Sequence, residues 1–260
     1  ERGPKVIGGN MRRSHAVAAL VLAALCFGCS DAERAPALLV GVARRDITPS
    51  PATAPPDGSV YLGGYGFGPE RPSTGVLAPI HVRAFVVEGE GGAVAFAENE
   101  TQGAFAAYRS GPYGAVDIAA EVERATGGAI ARTAVIVGSS HSHAGPDTTG
   151  VWGGLPDTYL EFLREQTIGA ILDAWSARRP ARLWTGTTDA TDLIRSQFSE
   201  PPNDQVDGEL RVLLATDPGG DPARPFGMLV NYAAHATVMG GGNTLISGDW
   251  PAVVADALER

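Results

Sequence analysis

Apolar and polar positions alternate in short blocks along most of the chain, separated by runs rich in glycine and proline. Leu38 to Ala43 is apolar and ends at Asp46-Ile-Thr-Pro49, which reads as a first strand because Pro49 biases its predecessor away from helix. Val82 to Val87 and Ala93 to Ala97 flank Gly89-Glu-Gly-Gly92, the pattern of a hairpin. A helical period runs from Val116 to Ala125, closed by Gly127-Gly128. It returns across Asp157 to Arg178, where Tyr159, Leu160, Leu163, Ile168, Ile171, Leu172 and Trp175 share a face and Pro180 ends the run. Strands are predicted at Ala134 to Val137, Arg182 to Thr187, Leu210 to Ala215 and Met228 to Tyr232, with a last helix opening near Pro251. From Ser50 to Pro79 the density of glycine and proline excludes long regular elements, and a long loop inside a domain is often functional. Strands interleaved with helices predict an α/β fold, a mixed β-sheet domain with flanking helices and long Gly/Pro-rich loops.

The first residues change how charge is read. Met11-Arg-Arg-Ser-His15 is a positive n-region, Ala16 to Phe27 an apolar core too short to span a bilayer, and Gly28-Cys29 a small-residue boundary. Residues 11–28 are therefore expected to be a signal peptide, with 1–10 an upstream extension and 29–37 a polar tether. Cys29 after Gly28 also resembles a lipobox, although Cys26 stands where leucine is usual; acylation at Cys29 and simple cleavage both remain open. Export to a bacterial cell envelope, as a lipoprotein or a periplasmic or secreted protein, follows from either. Cys26 and Cys29 are the two cysteines of the sequence, so the mature chain has no internal disulfide. With 20 Lys and Arg against 29 Asp and Glu the formal net charge is −9, a poor match for nucleic acid.

Candidate chemistry sits on histidines. His141 and His143 follow the apolar run Ala134 to Val137, and in an extended segment residues i and i+2 address the same side. Ser139, Ser140, Ser142, Ala144 and Gly145 are small and would leave room for an ion and its substrate. Neutral imidazole is the commonest transition-metal ligand, but such a pair can equally be satisfied by backbone carbonyls in a tight turn. His235 repeats the logic, delivered among small residues by the apolar stretch before it. His81 alternates on a strand and reads as structural or surface-exposed. Glu98 and Glu100 read as a solvated loop or a metal contact, Asp147 and Asp157 as caps of the following helix, and Asp249 as either a helix cap or an orienter of the nearby loop.

Six segments together resemble the neutral, non-lysosomal ceramidase family: Arg45-Asp-Ile-Thr-Pro49, Arg83-Ala-Phe-Val-Val87, His141-Ser-His-Ala-Gly-Pro146, Ile194-Arg-Ser196, His235-Ala-Thr-Val-Met239 and Asn243-Thr-Leu-Ile-Ser-Gly-Asp249. They occur in the family's order and cover nearly all of 38–260. The resemblance implies a Zn2+-dependent amidase that splits the N-acyl bond of ceramide-like lipids into fatty acid and sphingosine. It implies zinc ligation by His141 and His235, contact of His143 with substrate or the water at the metal, and an active-site role for Arg195, where Ile194 replaces the family's asparagine. The family's other two ligands, a glutamate and a tyrosine, and its catalytic serine segment lie downstream of the Ser-Gly-Asp loop. Residues 38–260 are accordingly expected to be a partial catalytic domain, truncated at the C-terminus and inactive alone. The expected partners are a ceramide-like lipid and a membrane surface. A metal hydrolase of another lipid amide or ester, and a non-catalytic envelope lipoprotein retaining the fold, are the alternatives.

Overall fold

The structure, a computed structural model, describes residues 38–50, 52–54, 60–67, 70–197 and 205–260. The upstream extension, the signal peptide and the tether with Cys29 lie outside the described residues. Among the described residues, nine strands and three α-helices follow in the order β1 (Leu38–Asp46), β2 (Gly75–Val76), β3 (His81–Gly89), β4 (Gly92–Asn99), α1 (Ala115–Ala125), β5 (Val135–Ser139), α2 (Asp157–Ser176), β6 (Arg179–Asp189), β7 (Glu209–Thr216), β8 (Gly227–Asn231), β9 (Leu245–Ile246) and α3 (Asp249–Leu258). Seven strands form one sheet in the order β5-β4-β3-β1-β6-β7-β8, and β2 pairs with β9 in a small parallel ribbon. Within the large sheet β4 and β5 run parallel and every other pair is antiparallel. The predicted mixed sheet with flanking helices is the observed one.

Alternation decides which side chains are buried. Ala93, Ala95, Ala97 and Asn99 of β4 point inward between exposed or half-buried neighbours, joined by Val82, Ala84 and Val86 of β3. Ile118 and Val122 of α1 and Ile168, Ile171 and Ala174 of α2 close that core. Gly41 is what lets α2 ride directly on β1: a Cβ there would lie 1.9 Å from the Ala174 carbonyl oxygen. The sheet then bends, because β1 meets β6 over only three pairs, Leu38–Val40 against Arg179–Ala181, before β6 turns to β7. A second core forms on the far face, where Val40, Phe85, Ala181 and Ala215 are buried and Phe96, Leu183 and Leu229 pack against them.

Most predicted boundaries agree within a few residues. The helix expected to reach Arg178 stops at Ser176, and β6 starts at Arg179, one residue before Pro180. Gly127 and Gly128 take φ of 61° and 85°, the left-handed ending that closes a helix. Among its described residues, the Gly/Pro-rich stretch from 50 to 79 is held by the bridges Tyr61 to Pro72 and Leu62 to Pro146, and by β2.

Candidate metal centre

Three loops meet beyond the ends of β4, β5 and β8. The β5 ladder continues past Ser139, with Ser140 N–H donating to the Asn99 carbonyl and Ser142 N–H to the Thr101 carbonyl. Between them His141 swings out at φ 58°, a left-handed turn. The two rings therefore converge through that turn, not through the i, i+2 alternation of an extended strand, which has already ended. The small neighbours also act differently from expectation. Ala144 and Ser142 are fully buried, Ser142 Oγ donates to the Ser247 carbonyl at 2.9 Å, and a Cβ on Gly145 would lie 3.0 Å from the Glu100 carbonyl oxygen. They let the histidine loop fit between two other segments; they do not line an open space.

His235 comes from the loop after β8. His143 N–H donates to the Ala236 carbonyl at 3.0 Å, which brings the two loops together. His235 Nε2 lies 2.9 Å from His143 Nε2, and His143 Nε2 3.3 Å from His141 Nε2. The His141 and His235 rings stack 11° from parallel with centroids 5.0 Å apart, and His143 stands edge-on to both. All three candidate ligand nitrogens fall within 4.8 Å of one another.

Hydrogen bonding fixes one ring's tautomer. His141 Nδ1 lies 2.7 Å from the Gln102 carbonyl, which can only accept, so Nδ1 carries the proton and Nε2 keeps its lone pair. A carbonyl behind the distal nitrogen is the usual support of a metal-bound histidine. His143 is 6% exposed and its Nδ1 is buried without a partner against Gly64. Its pKa is pushed down to about 4, by burial first and then by His235 and His141. His235 is lowered as well, for the same leading reason. At neutral pH these rings are neutral donors. Tetrahedral zinc with nitrogen ligands at about 2.0–2.1 Å spaces them about 3.3–3.4 Å apart; the His141–His143 edge has that length, the His143–His235 edge at 2.9 Å is shorter, and the cluster as a whole spans up to 4.8 Å, so His141 and His235 would have to draw closer to share one ion. The donor set fits a zinc-like cation.

Residues that spacing could not flag complete the surroundings. Tyr65 meets the His143 ring edge-on at 4.8 Å, and its hydroxyl donates to the Thr237 carbonyl. Arg71 lies over the Tyr65 ring and donates to the carbonyls of Gly63, His143 and Asn243, stitching three loops together. Gly64, at φ 107°, has no room for a Cβ, which would sit 2.2 Å from the His143 ring. All three lie in the long Gly/Pro-rich loop from 50 to 79, whose composition marked it as a loop of the kind that is often functional without singling out any residue in it.

The other candidates fall elsewhere. Arg195 is exposed after the 3-10 turn Thr191–Leu193 and makes no hydrogen bond or ion pair with the three histidines. Glu98 belongs to β4 itself. Glu100 is neither solvated nor at the rings: it is 3% exposed, paired with Arg83, and accepts the His81 backbone N–H. Burial pushes its carboxyl up against the pull of Arg83. His81 opens β3, half-buried, with its Nδ1 3.9 Å from the Glu100 carboxylate. Asp147 caps no helix; it is buried and accepts the backbone N–H groups of Thr149, Gly150, Trp152 and Gly154. Asp157 is the first residue of α2, behind Pro156 as its cap. Asp249 is the first residue of α3, behind Gly248 as its cap, and its carboxylate accepts the backbone N–H groups of Val238 and Met239 instead of capping the helix.

No family model matches the chain. It is 29% identical over 133 residues to neutral ceramidase B of Dictyostelium discoideum, covering 44% of this chain and 18% of that protein. Its fold matches the crystal structure of neutral ceramidase from Pseudomonas aeruginosa with a TM-score of 0.65, at 20% identity, over 83% of this chain and 35% of the other. A ceramidase solved as a complex with C2 gives a TM-score of 0.65 at 19% identity, over 82% and 34%. The chain is thus similar in sequence and fold to neutral ceramidases, and spans about a third or less of their length.

Proposed function

We propose that the chain carries the histidine half of a zinc-dependent amidase acting on the N-acyl bond of ceramide-like lipids. The observation that carries this reading is the convergence of three imidazole nitrogens from two distant loops, one of them with its tautomer fixed by the Gln102 carbonyl. The substrate class rests on the similarity to neutral ceramidases.

His141 and His235 would hold the ion, with His143 between them as a third donor or as the group that meets substrate. When bound, zinc supplies a Lewis acid for the carbonyl of the scissile amide. The chain's own contribution is orientation and protonation state. His143, with its pKa pushed down to about 4, stays a neutral imidazole at neutral pH, so one of its ring nitrogens keeps a lone pair. Arg71 and Tyr65 fix the wall behind it. Arg195 is the candidate cation for charge developing on the amide oxygen, which requires that its exposed segment approach the rings when substrate binds.

Equilibrium dialysis against zinc should give one ion per chain, lost in His141→Ala and in His235→Ala; retention in either variant would overturn the metal assignment. Amide cleavage is tested on a version extended to the length of the solved ceramidases, with an N-acylated sphingoid base as substrate. Zinc binding without fatty-acid release would leave a metal protein of another activity. Attachment to a bacterial envelope through acylated Cys29 belongs to the same reading, and radiolabelled palmitate should mark that residue. No helix among the described residues is long and apolar enough to cross a membrane.

A further inference from the structure

Among the described residues two that are not glycine hold a left-handed backbone, His141 at φ 58° and Asp249 at φ 57°. That conformation is disfavoured for any residue with a Cβ and persists only where the surroundings impose it. One of the two is a candidate ligand. The other is the first residue of α3, 5% exposed.

Its carboxylate does more than start a helix. Asp249 Oδ1 accepts the Trp250 N–H at 2.6 Å, a bond local to the helix terminus. Oδ1 also accepts the Val238 N–H at 3.2 Å, and Oδ2 the Met239 N–H at 3.0 Å. Those two amides belong to the turn that follows His235, where Ala236 is buried but the side chains of Val238 and Met239 themselves are 76% and 37% exposed. From outside, the turn is also held by His143 N–H donating to the Ala236 carbonyl and the Tyr65 hydroxyl to the Thr237 carbonyl; within it, the Thr237 N–H donates to the His235 carbonyl and the Gly240 N–H to the Thr237 carbonyl. Asp249 is also the carboxylate whose field acts on both His143 and His235.

We propose that Asp249 is a positioning residue for the metal centre: its two carboxylate oxygens clamp the 235–239 turn and so fix the direction of His235 Nε2. The inference rests on the metal reading above and adds to it a residue that touches neither ion nor substrate.

Asp249→Gly separates this role from a structural one. Glycine accepts φ 57° without strain, so a residue needed only for the turn would be replaced at little cost. If the carboxylate positions His235, the metal-free variant melts near the parent while zinc affinity, measured by chelator competition, falls about 10–100-fold. Hydrogen exchange at the Val238 and Met239 amides then accelerates, whether or not metal is present. Asp249→Asn, which keeps one accepting oxygen, should fall between the two and carries the test if the glycine variant does not fold. Parental zinc affinity in Asp249→Gly, or parental exchange at both amides, would overturn the proposal. A parent chain that binds no zinc but shows the exchange difference supports the clamp and counts against the metal reading alone.

Discussion

Gly64→Ala is the smallest change that should disturb the centre. Its Cβ would enter the space of the His143 ring at a backbone angle that already disfavours alanine. Overpacking of this kind costs about 1–3 kcal/mol, so we expect that loss in urea denaturation together with weaker zinc binding. His143 also gives the metal-free chain a pH dependence. Its folded pKa, about 4, lies below the ordinary 6.5, so between those values the unfolded chain takes up a proton that the folded chain refuses. Stability from this ring is therefore complete above about pH 6.5 and lost progressively as the pH falls toward 4. His143→Gln should flatten that slope in melts recorded across the window. At this scale the sequence showed the histidines, because imidazole among small residues is chemically conspicuous. Tyr65 and Arg71 were illegible in that role: they act through backbone groups of other segments, and no spacing in the sequence records such contacts. Asp249 was legible only as one of two readings, because its distance from the His235 turn in space is not written in its position.

Elements were more legible than their contacts. Period-two burial in β4 and the helical stripe of α2 follow directly from the order of apolar residues. How closely α2 approaches β1 depends on one hydrogen atom at Gly41, and that is not a matter of pattern. Gly41→Ala should force α2 away from the sheet and destabilise by about 1–3 kcal/mol, since the obstructing group is backbone. Gly169→Ala, within α2, should behave oppositely. The atoms nearest its Cβ would be those of the Arg45 guanidinium, the far end of a flexible side chain whose surface pair with Asp173 can re-form elsewhere, and alanine improves helix propensity by up to about 1 kcal/mol. Measuring both by the same denaturation assay separates a backbone obstruction from a side-chain one. The histidine loop gives the corresponding lesson. Its convergence was expected, yet from strand alternation, whereas the structure achieves it by a left-handed turn that sequence periodicity cannot express.

For the whole molecule, β5 and β8 are the opposite edges of the seven-stranded sheet, yet the loops that follow them meet at the histidines. A ligand that binds this assembled state and not the unfolded chain stabilises it by mass action, about 2.7 kcal/mol at a hundred times its dissociation constant. Zinc should therefore raise the melting temperature of the parent and leave that of His141→Ala unchanged, with a chelator reversing the shift. The mixed sheet was legible from interleaved strands and helices; its bend was not, because it depends on β1 and β6 separating after three pairs. One further consequence concerns the order of assembly. His143 and His235 are 92 positions apart in the chain and 2.9 Å apart in space. Joining them closes a long loop, and long-range closure comes late compared with helix and hairpin formation. Cobalt(II) offered to the refolding chain should thus acquire its visible absorbance only in the final kinetic phase, after far-ultraviolet circular dichroism has already reached most of its native amplitude.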